Sequence, residues 1–475
     1  MTDFSFFSVF GFTINWDFWN WILEQPPSST VWYIFVIVGW AALALVFFYM
    51  GEHFWVKYKQ DKYTAKWQWM VLAVDVPPLY IQTPKAVEQI FAHLSGAKVG
   101  ISIRQKYLEG KKQKYFSFEI VSIEGYIQFL IRTEAEFRDL VEAAVYAQYP
   151  EAEITEIEDY VDMVPNSFPN PTHHMLAVEF KLADADAYPI RTYPSFEYKI
   201  SKDDVFSDPM AAILENFSRI GHGENLWFQI ILEPASNAWK AKGIDLVKSI
   251  IAGDHGHHGN PVLHFIGDLP MRVAKEIFKI FNTPSEDSHD SHDEHPAGKL
   301  SDVTPGGKVT LEAIEDKIAK IGFKTKMRAV YMARNEVFTP SRCIDGFVGA
   351  MNQFHIQNRN AIVPNRISHG HFVFFKRWQQ EMLDNKFIKS YVKRKIKTGA
   401  TPYILNIEEL ATVWHFPLPF VKTPLVQKSG AKRGEPPINL PVDLVESPLK
   451  VKAKVLPTVT LPVPEPEVPE DLPYG

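Results

Sequence analysis

The residues that come nearest to a metal motif lie between Gly253 and Ser301. There DHGHH is followed by SEDSHDSHDEH, in which His289, His292 and His295 recur every third residue with Asp287, Asp290, Asp293 and Glu294 between them. Imidazoles and carboxylates of this kind suit zinc or nickel. A fixed site also needs surroundings that hold the ligands in one geometry, and this polar tract has few apolar residues to build them. It reads as a flexible, solvated insertion. The three histidines are its metal candidates, and with His173 and His174 they support an alternative reading as a metal-dependent enzyme or sensor.

Other chemistry is harder to place. A phosphate-cradling loop needs two glycines four residues apart, then Lys and Ser or Thr, so that backbone amides wrap the phosphates and the hydroxyl holds magnesium. PGGKVT, from Pro305 to Thr310, lacks the first glycine and puts Val309 where the hydroxyl should stand, so it reads as a loop. The chain has no nucleophile elbow, no helical histidine pair for zinc and no dinucleotide fingerprint. Cys343 is the single cysteine, which excludes an intramolecular disulfide and a thiolate zinc cluster and points to a packed core thiol in a reducing compartment. No catalytic residue and no cofactor is assigned.

One basic stretch stands apart. Lys389, Lys393, Arg394, Lys395 and Lys397, preceded by Lys386, alternate with Phe387, Ile388, Tyr391 and Val392. They are candidate contacts for phosphates of DNA or of acidic lipid; the plainer reading is a solvated face at a helix end. The net charge of -6 gives no global attraction to nucleic acid.

The elements that would position these residues begin with an apolar run. Val31 to Met50 holds no charge and no proline, and a helix of about 20 such residues rises roughly 30 Å, enough to cross a bilayer. The spacing predicts a single transmembrane helix over 29–56. Lys57, Lys59, Lys62 and Lys66 follow it, whereas Asp3, Asp17 and Glu24 are the only charges before it. The positive-inside rule then places the bulk of the chain in the cytoplasm at the inner (plasma) membrane, N-terminus outside. Residues 1–28, crowded with Phe and Trp, are expected to form an interfacial helix in the outer headgroup layer, with a second crossing as the alternative.

The remainder, in a chain with 46% hydrophobic and 22% charged residues, is ordinary for globular domains. Over 67–160 the pattern predicts strand, helix, strand, strand, helix, strand, with a two-residue turn at Glu124 and Gly125 and a capping box at Thr133 and Glu136. That order is the ferredoxin-like split βαβ. After a proline-rich loop, 174–380 reads as a second α+β module interrupted at 253–301. Its second half is to hold a helix from Leu311 to Ile321, the strand KTKMRAVYMA, and a helix from Cys343 to Phe354. The segment 381–433 carries the basic helix and ELATVWHFP, and 434–475 forms a proline-rich, extended tail. The fold class is therefore α+β: a transmembrane helix, tandem ferredoxin-like modules and a proline-rich C-terminal tail.

VYAQYPEAEI from Val145, YPIRTY from Tyr188, FQIILEP from Phe228, KMRAVYMA from Lys326, ELATVWHFP from Glu409 and EPPINLP from Glu435 occur in this order. Together they resemble the membrane-anchored N-terminal region of conjugation-type (type IV) secretion ATPases of the HerA/FtsK-like class, of the kind found in candidate-phylum bacteria. The resemblance covers about Trp67 to Pro441. In that family the EPPINLP-like segment leads into a motor with a phosphate-binding loop; here the motor is missing, so its nucleotide-binding residues have no counterpart. What the resemblance implies is a non-catalytic scaffold or adaptor of a secretion or DNA-transfer apparatus. Its partners would be the lipid bilayer, a separately encoded motor ATPase and other apparatus subunits, with homo-oligomerisation open. The docking residues it implies are Glu409, Trp414, His415, Pro436 and Pro437.

Overall fold

The computed structural model describes residues 6–9, 12–15, 21, 26–77, 82–200, 203–206, 208–252, 303–366 and 376–418. They fall into two compact units, one drawn from Met1–Trp67 and Val99–Gln113, the other holding the main sheet.

In the first unit, strands β1 (Phe6–Val9) and β2 (Phe12–Asn15) pair antiparallel, where an interfacial helix was anticipated. Helix α1 runs from Pro27 to Thr64, 38 residues with proline at its first turn. The transmembrane expectation is corrected here: among the described residues no helix is long and apolar enough to cross a membrane. The run is less aliphatic than its lack of charge suggested. Trp32, Tyr33, Trp40 and Tyr49 interrupt it with rings that carry a polar edge, and beyond Gly51 the same helix continues through Glu52, His53, Lys57, Lys59, Asp61 and Lys62.

The second unit is built on one nine-stranded sheet in which every neighbouring pair is antiparallel. Its elements in chain order are β3 (Trp69–Asp75), α2 (Pro84–Leu94), β4 (Phe116–Ile123), β5 (Tyr126–Glu134), α3 (Arg138–Gln148), β6 (Glu153–Ile157) and β7 (His173–Leu182). After a two-stranded excursion, β8 (Glu197–Ile200) with β9 (Asp203–Phe206), come α4 (Pro209–Ser218), β10 (Glu224–Pro234), α5 (Ala238–Ala252) and α6 (Pro305–Ala319). The chain then forms β11 (Gly322–Arg334), α7 (Gly346–Met351), β12 (Ile362–Arg366), α8 (Lys376–Val392), β13 (Tyr403–Asn406) and α9 (Ile407–Val413). The strand order is β12-β7-β11-β10-β4-β5-β3-β6, with β13 added to β11.

Each half of that order repeats one topology. In β3 to β6, and again in β7, β10, β11 and β12, the fourth strand lies beside the first, the first beside the third, and the third beside the second. That is the split βαβ arrangement. The two halves are not separate modules: β4 and β10, the second strand of each, pair over Asn225↔Ile123 to Leu232↔Phe116 and make the sheet continuous. Sequence periodicity could not reveal this, because it shows which face a strand buries but not what covers its edge.

Alternation along the strands divides the core between two faces. Phe118, Ile120, Phe129, Phe228, Ile230, Ala329 and Tyr331 point to the side where α2, α3, α4, α7 and α9 pack. Val121, Leu130, Trp227, Val330 and Met332 point the other way, toward Tyr160, Phe168 and the Phe387, Ile388 and Tyr391 face of α8. On the first face Trp414, just past α9, is fully buried among Phe118 at 4.8 Å, Phe416 at 5.1 Å and Phe129 at 5.6 Å between ring centroids.

Local signals differ from the sequence reading in three places. Thr133 belongs to β5, and it is Glu134 whose side chain accepts the Glu136 amide, so no capping box forms. PGGKVT is the first turn of α6: Pro305 occupies its start and Thr304 accepts the Gly307 amide at 3.2 Å. The helix anticipated from Cys343 is divided into a π-turn at Ser341–Asp345, α7 and a short 3-10 turn at Asn352–Phe354. The insertion 253–301 and the tail 434–475 lie outside the described residues.

Because Trp414 fills the space between α2 and three aromatic rings of the first face, Trp414→Ala is expected to lower stability by about 3–5 kcal/mol. Thermal melting followed by near-ultraviolet circular dichroism checks this; an unchanged midpoint would show that the ring is not part of the core.

Candidate functional site

Charged and amide side chains in the middle of buried strands need partners, and four strands contribute them to a single row. Glu179 of β7 lies opposite Arg328 of β11, Arg328 opposite Gln229 of β10, and Gln229 opposite Glu119 of β4. All four are buried on the face that α8 covers. The row crosses the seam between the halves of the sheet.

Arg394, two residues past α8, closes this row from above. Its Nε and Nη2 donate to the two oxygens of Glu119 at 3.0 and 3.1 Å. Its Nη1 and Nη2 donate to Asp159 at 2.6 and 2.8 Å, and Nη1 also donates to the Val392 carbonyl at 2.9 Å. Every N–H of the guanidinium is thereby used. Glu119 accepts further bonds from Tyr160 Oη at 2.7 Å, Gln229 Nε2 at 3.1 Å and Ser117 Oγ, and the Tyr160 and Tyr391 hydroxyls meet at 3.1 Å.

The segment after Arg394 is gripped by the neighbouring cations. Lys326 Nζ donates to the carbonyls of Thr398 and Ala400, and Arg328 donates to those of Ser390, Lys395 and Thr398. Of these, the Ser390 carbonyl lies in the last turn of α8, where positive charge is favoured. Glu179 pairs with Lys326 at 3.0 Å and accepts the Ala400 amide at 2.6 Å. Gly399, at φ +92°, passes so close that a Cβ would stand 2.5 Å from the Glu179 carboxylate, which only glycine allows.

Electrostatics follow from this enclosure. Burial alone would raise the Glu119 carboxyl, but the Arg394 charge and the hydrogen bonds from Arg394, Ser117 and Tyr160 outweigh it and hold the group at about 2. Burial, reinforced by Glu119, pushes the Tyr160 and Tyr391 phenols well above their ordinary range. Burial works against the charge of Arg394, and Glu119, Tyr160 and Asp159 more than reverse it. Lys326 and Arg328 are pulled down by burial, with Glu179 opposing. The cluster therefore holds an ionised carboxylate whose lone pairs are occupied and two phenols that stay protonated. Its chemistry is that of a clasp fixing α8 and residues 393–400 across the sheet.

The basic stretch is thus split. Arg394 is fully buried and committed to Glu119 and Asp159, not to an outside phosphate, whereas Lys389, Lys393, Lys395 and Lys397 are exposed. The docking candidates also turn inward. Glu409 completes a capping box with Asn406 and pairs with the buried Lys317 at 3.0 Å. Trp414 fills the aromatic core, and His415 bridges the Ala411 carbonyl at 2.7 Å and Asp208 at 2.9 Å. These three brace the fold and leave no surface of their own for a partner. His173 contacts Thr172 Oγ1 at 2.8 Å and His174 packs on Phe338. Among the described residues no group of three His, Cys, Asp or Glu could hold a metal ion. Cys343 is buried, and burial pushes its thiol up. His289, His292, His295, Pro436 and Pro437 lie outside the described residues.

Lys326 and Arg328 escaped the sequence reading because charges at every second position of a strand, here Lys324, Lys326 and Arg328, normally mark a solvated face, and the lone Glu119 of β4 reads the same way. The available signal was Ile396 and Tyr391 flanking Arg394 with apolar residues, a pattern that fits an inward arginine as well as an outward one.

A family model described as a domain of unknown function, DUF8128, matches residues 81–429, more than half of the 475-residue chain. The chain belongs to this family. The DUF8128 match takes in the seam, the Glu119–Arg394 clasp and the Trp414 core, and leaves out α1 and β3. No curated protein matches the chain.

Removing Arg394 leaves a buried carboxylate without its cation, so Arg394→Met is expected to cost about 3–5 kcal/mol, and Arg394→Met with Glu119→Gln to recover much of it. Urea unfolding of both single variants and the double variant tests this; losses that simply add would show that the charges do not interact. Glu119 sits below its ordinary value of 4.5, so its contribution is present above that pH. It should be lost progressively as pH falls from 4.5 toward about 2, and a Glu119→Gln protein should lack that part of the acid transition.

Proposed function

We propose that this DUF8128 protein is a membrane-associated, non-catalytic scaffold or adaptor of a type IV secretion-like apparatus that works with a motor ATPase. The observation that carries the reading is the surface of α1. Leu43, Leu45, Val46, Phe47, Phe48, Tyr49 and Met50 are exposed in succession, followed by exposed Phe54, Trp55 and Tyr58. A soluble monomer rarely leaves so continuous an apolar surface open, and such surfaces serve contact with lipid or with another protein. The lysines at 57, 59, 62 and 66 that follow favour the acidic surface of a bilayer. The sheet unit adds support of another kind: its buried charges brace helix against strand, as suits a rigid platform. The resemblance over Trp67 to Pro441 supplies the secretion context and the partner motor.

Vesicle flotation of the full chain tests the carrying observation. The intact protein is expected to float with lipid, and Phe47→Asn with Phe48→Asn to reduce the floating fraction severely, while the melting of the sheet unit stays unchanged. A protein that remains at the bottom of the gradient with every vesicle would refute membrane association. ATP turnover by the purified chain should be nil, and turnover that tracks with the protein through purification would refute the non-catalytic role.

A further inference from the structure

A segment far from α1 in sequence is folded onto it. Residues 99–113 carry a π-turn at Gln105–Glu109 that packs on the helix, and the Tyr107 carbonyl accepts the Trp55 indole N–H at 2.9 Å. At the end of the turn Gly110 adopts φ +73°, where a Cβ would collide with the Lys59 carbonyl oxygen. The approach is backbone on backbone, so the turn is held at one height along the helix, beside Trp55 and Lys59.

That height has chemical meaning. It is where the exposed apolar surface of α1 gives way to Lys57, Lys59, Lys62 and Lys66, and the docked segment adds Arg104, Lys106, Lys111 and Lys112. Over 43–66 and 99–113 there are eight Lys or Arg against three carboxylates, Glu52, Asp61 and Glu109, in a chain whose net charge is -6. The turn also exposes two apolar side chains, Ile103 at 47% and Leu108 at 58%. Lys59 lies over the Trp55 ring at 4.8 Å and Lys106 over Tyr107 at 4.8 Å, the pairing of aromatic body and cation suited to a boundary between apolar and wet surroundings.

We propose that residues 99–113 are a second lipid-contacting element, which with the lysines of α1 forms a collar that selects anionic phospholipid headgroups. The inference rests on the membrane-associated reading and adds to it the headgroup class and a second point of contact. A bilayer is the occupant that answers both halves of the surface. Nucleic acid would use the cations but not Phe47, Phe48, Ile103 or Leu108, and an apolar protein groove would use those side chains but have no use for the positive charge of the two segments.

The full chain, reconstituted by detergent removal, is to be floated with vesicles of phosphatidylcholine alone and of phosphatidylcholine with phosphatidylglycerol. Binding is expected to both, stronger to the acidic vesicles, with the excess removed by high salt. Arg104→Gln, Lys106→Gln and Lys111→Gln together should weaken binding to the acidic vesicles by about fivefold per cation and leave binding to phosphatidylcholine alone unchanged. Leu108→Ser should weaken both. Gly110→Val, which pushes the turn off the helix, should remove the preference for acidic lipid, with the melting of the sheet unit as the control for folding. Equal binding to both vesicles, or a preference that none of these variants moves, would overturn the collar and leave membrane association standing. Failure to float with either vesicle, including retention of duplex DNA instead, would overturn both.

Discussion

A carboxylate at the centre of a nine-stranded sheet persists only if a cation reaches it, and here the cation arrives from 275 residues away. Arg394 answers Glu119 and Asp159 together, which ties a strand of the first half, the segment after β6 and the end of α8 into one contact. Gln229 joins from the second half, and Lys326, Arg328 and Glu179 extend the same row until residues 398–400 are fixed. Replacing such a cluster wholesale with apolar residues need not cost stability. What an apolar interface would lack is the match of donors to acceptors that lets α8 settle in one position along the sheet.

The opposite face follows a different rule. There the fit is aromatic, with Trp414 set among Phe91, Phe118, Phe129 and Phe416, and the polar groups stand at the margins. Glu409 with Lys317 and Asn406, and Asp208 with His415, fasten the ends of α9 and α4. Burial would raise the Asp208 carboxyl, yet His415 and the amides of Leu418 and Met210 hold it below its ordinary value, so the contribution of Asp208 is lost as pH falls through that lowered value.

Elements with a strong period were legible in the sequence. The strands at Trp69–Asp75, Phe116–Ile123 and Tyr126–Glu134 and the helix at Pro84–Leu94 follow from local patterns. What was not legible depends on partners distant in the chain. The alternation in FSFEIVSI gives Glu119 a face, but only the pairing of β4 with β10 and the arrival of Arg394 decide that this face is dry. Glu409, Trp414 and His415 drew notice through a resemblance alone, and their burial gives them a packing role in this chain. The apolar run of α1 reads as a bilayer span from its lack of charge and proline, but among the described residues no helix is long and apolar enough to cross a membrane, and the same helix runs on into Glu52, Lys57, Lys59 and Asp61.

The β4–β10 seam governs where the polypeptide can be divided. A fragment ending between β6 and β7 would be half of the sheet by length, yet it would bare Phe116–Ile123 as an unblocked strand edge, and the complementary piece would bare Glu224–Pro234. Edges of that length invite pairing with whatever strand is at hand. Each half has its own complete topology and could be mistaken for a domain, but cut apart the two would behave as sticky monomers, closing on each other or on copies of themselves.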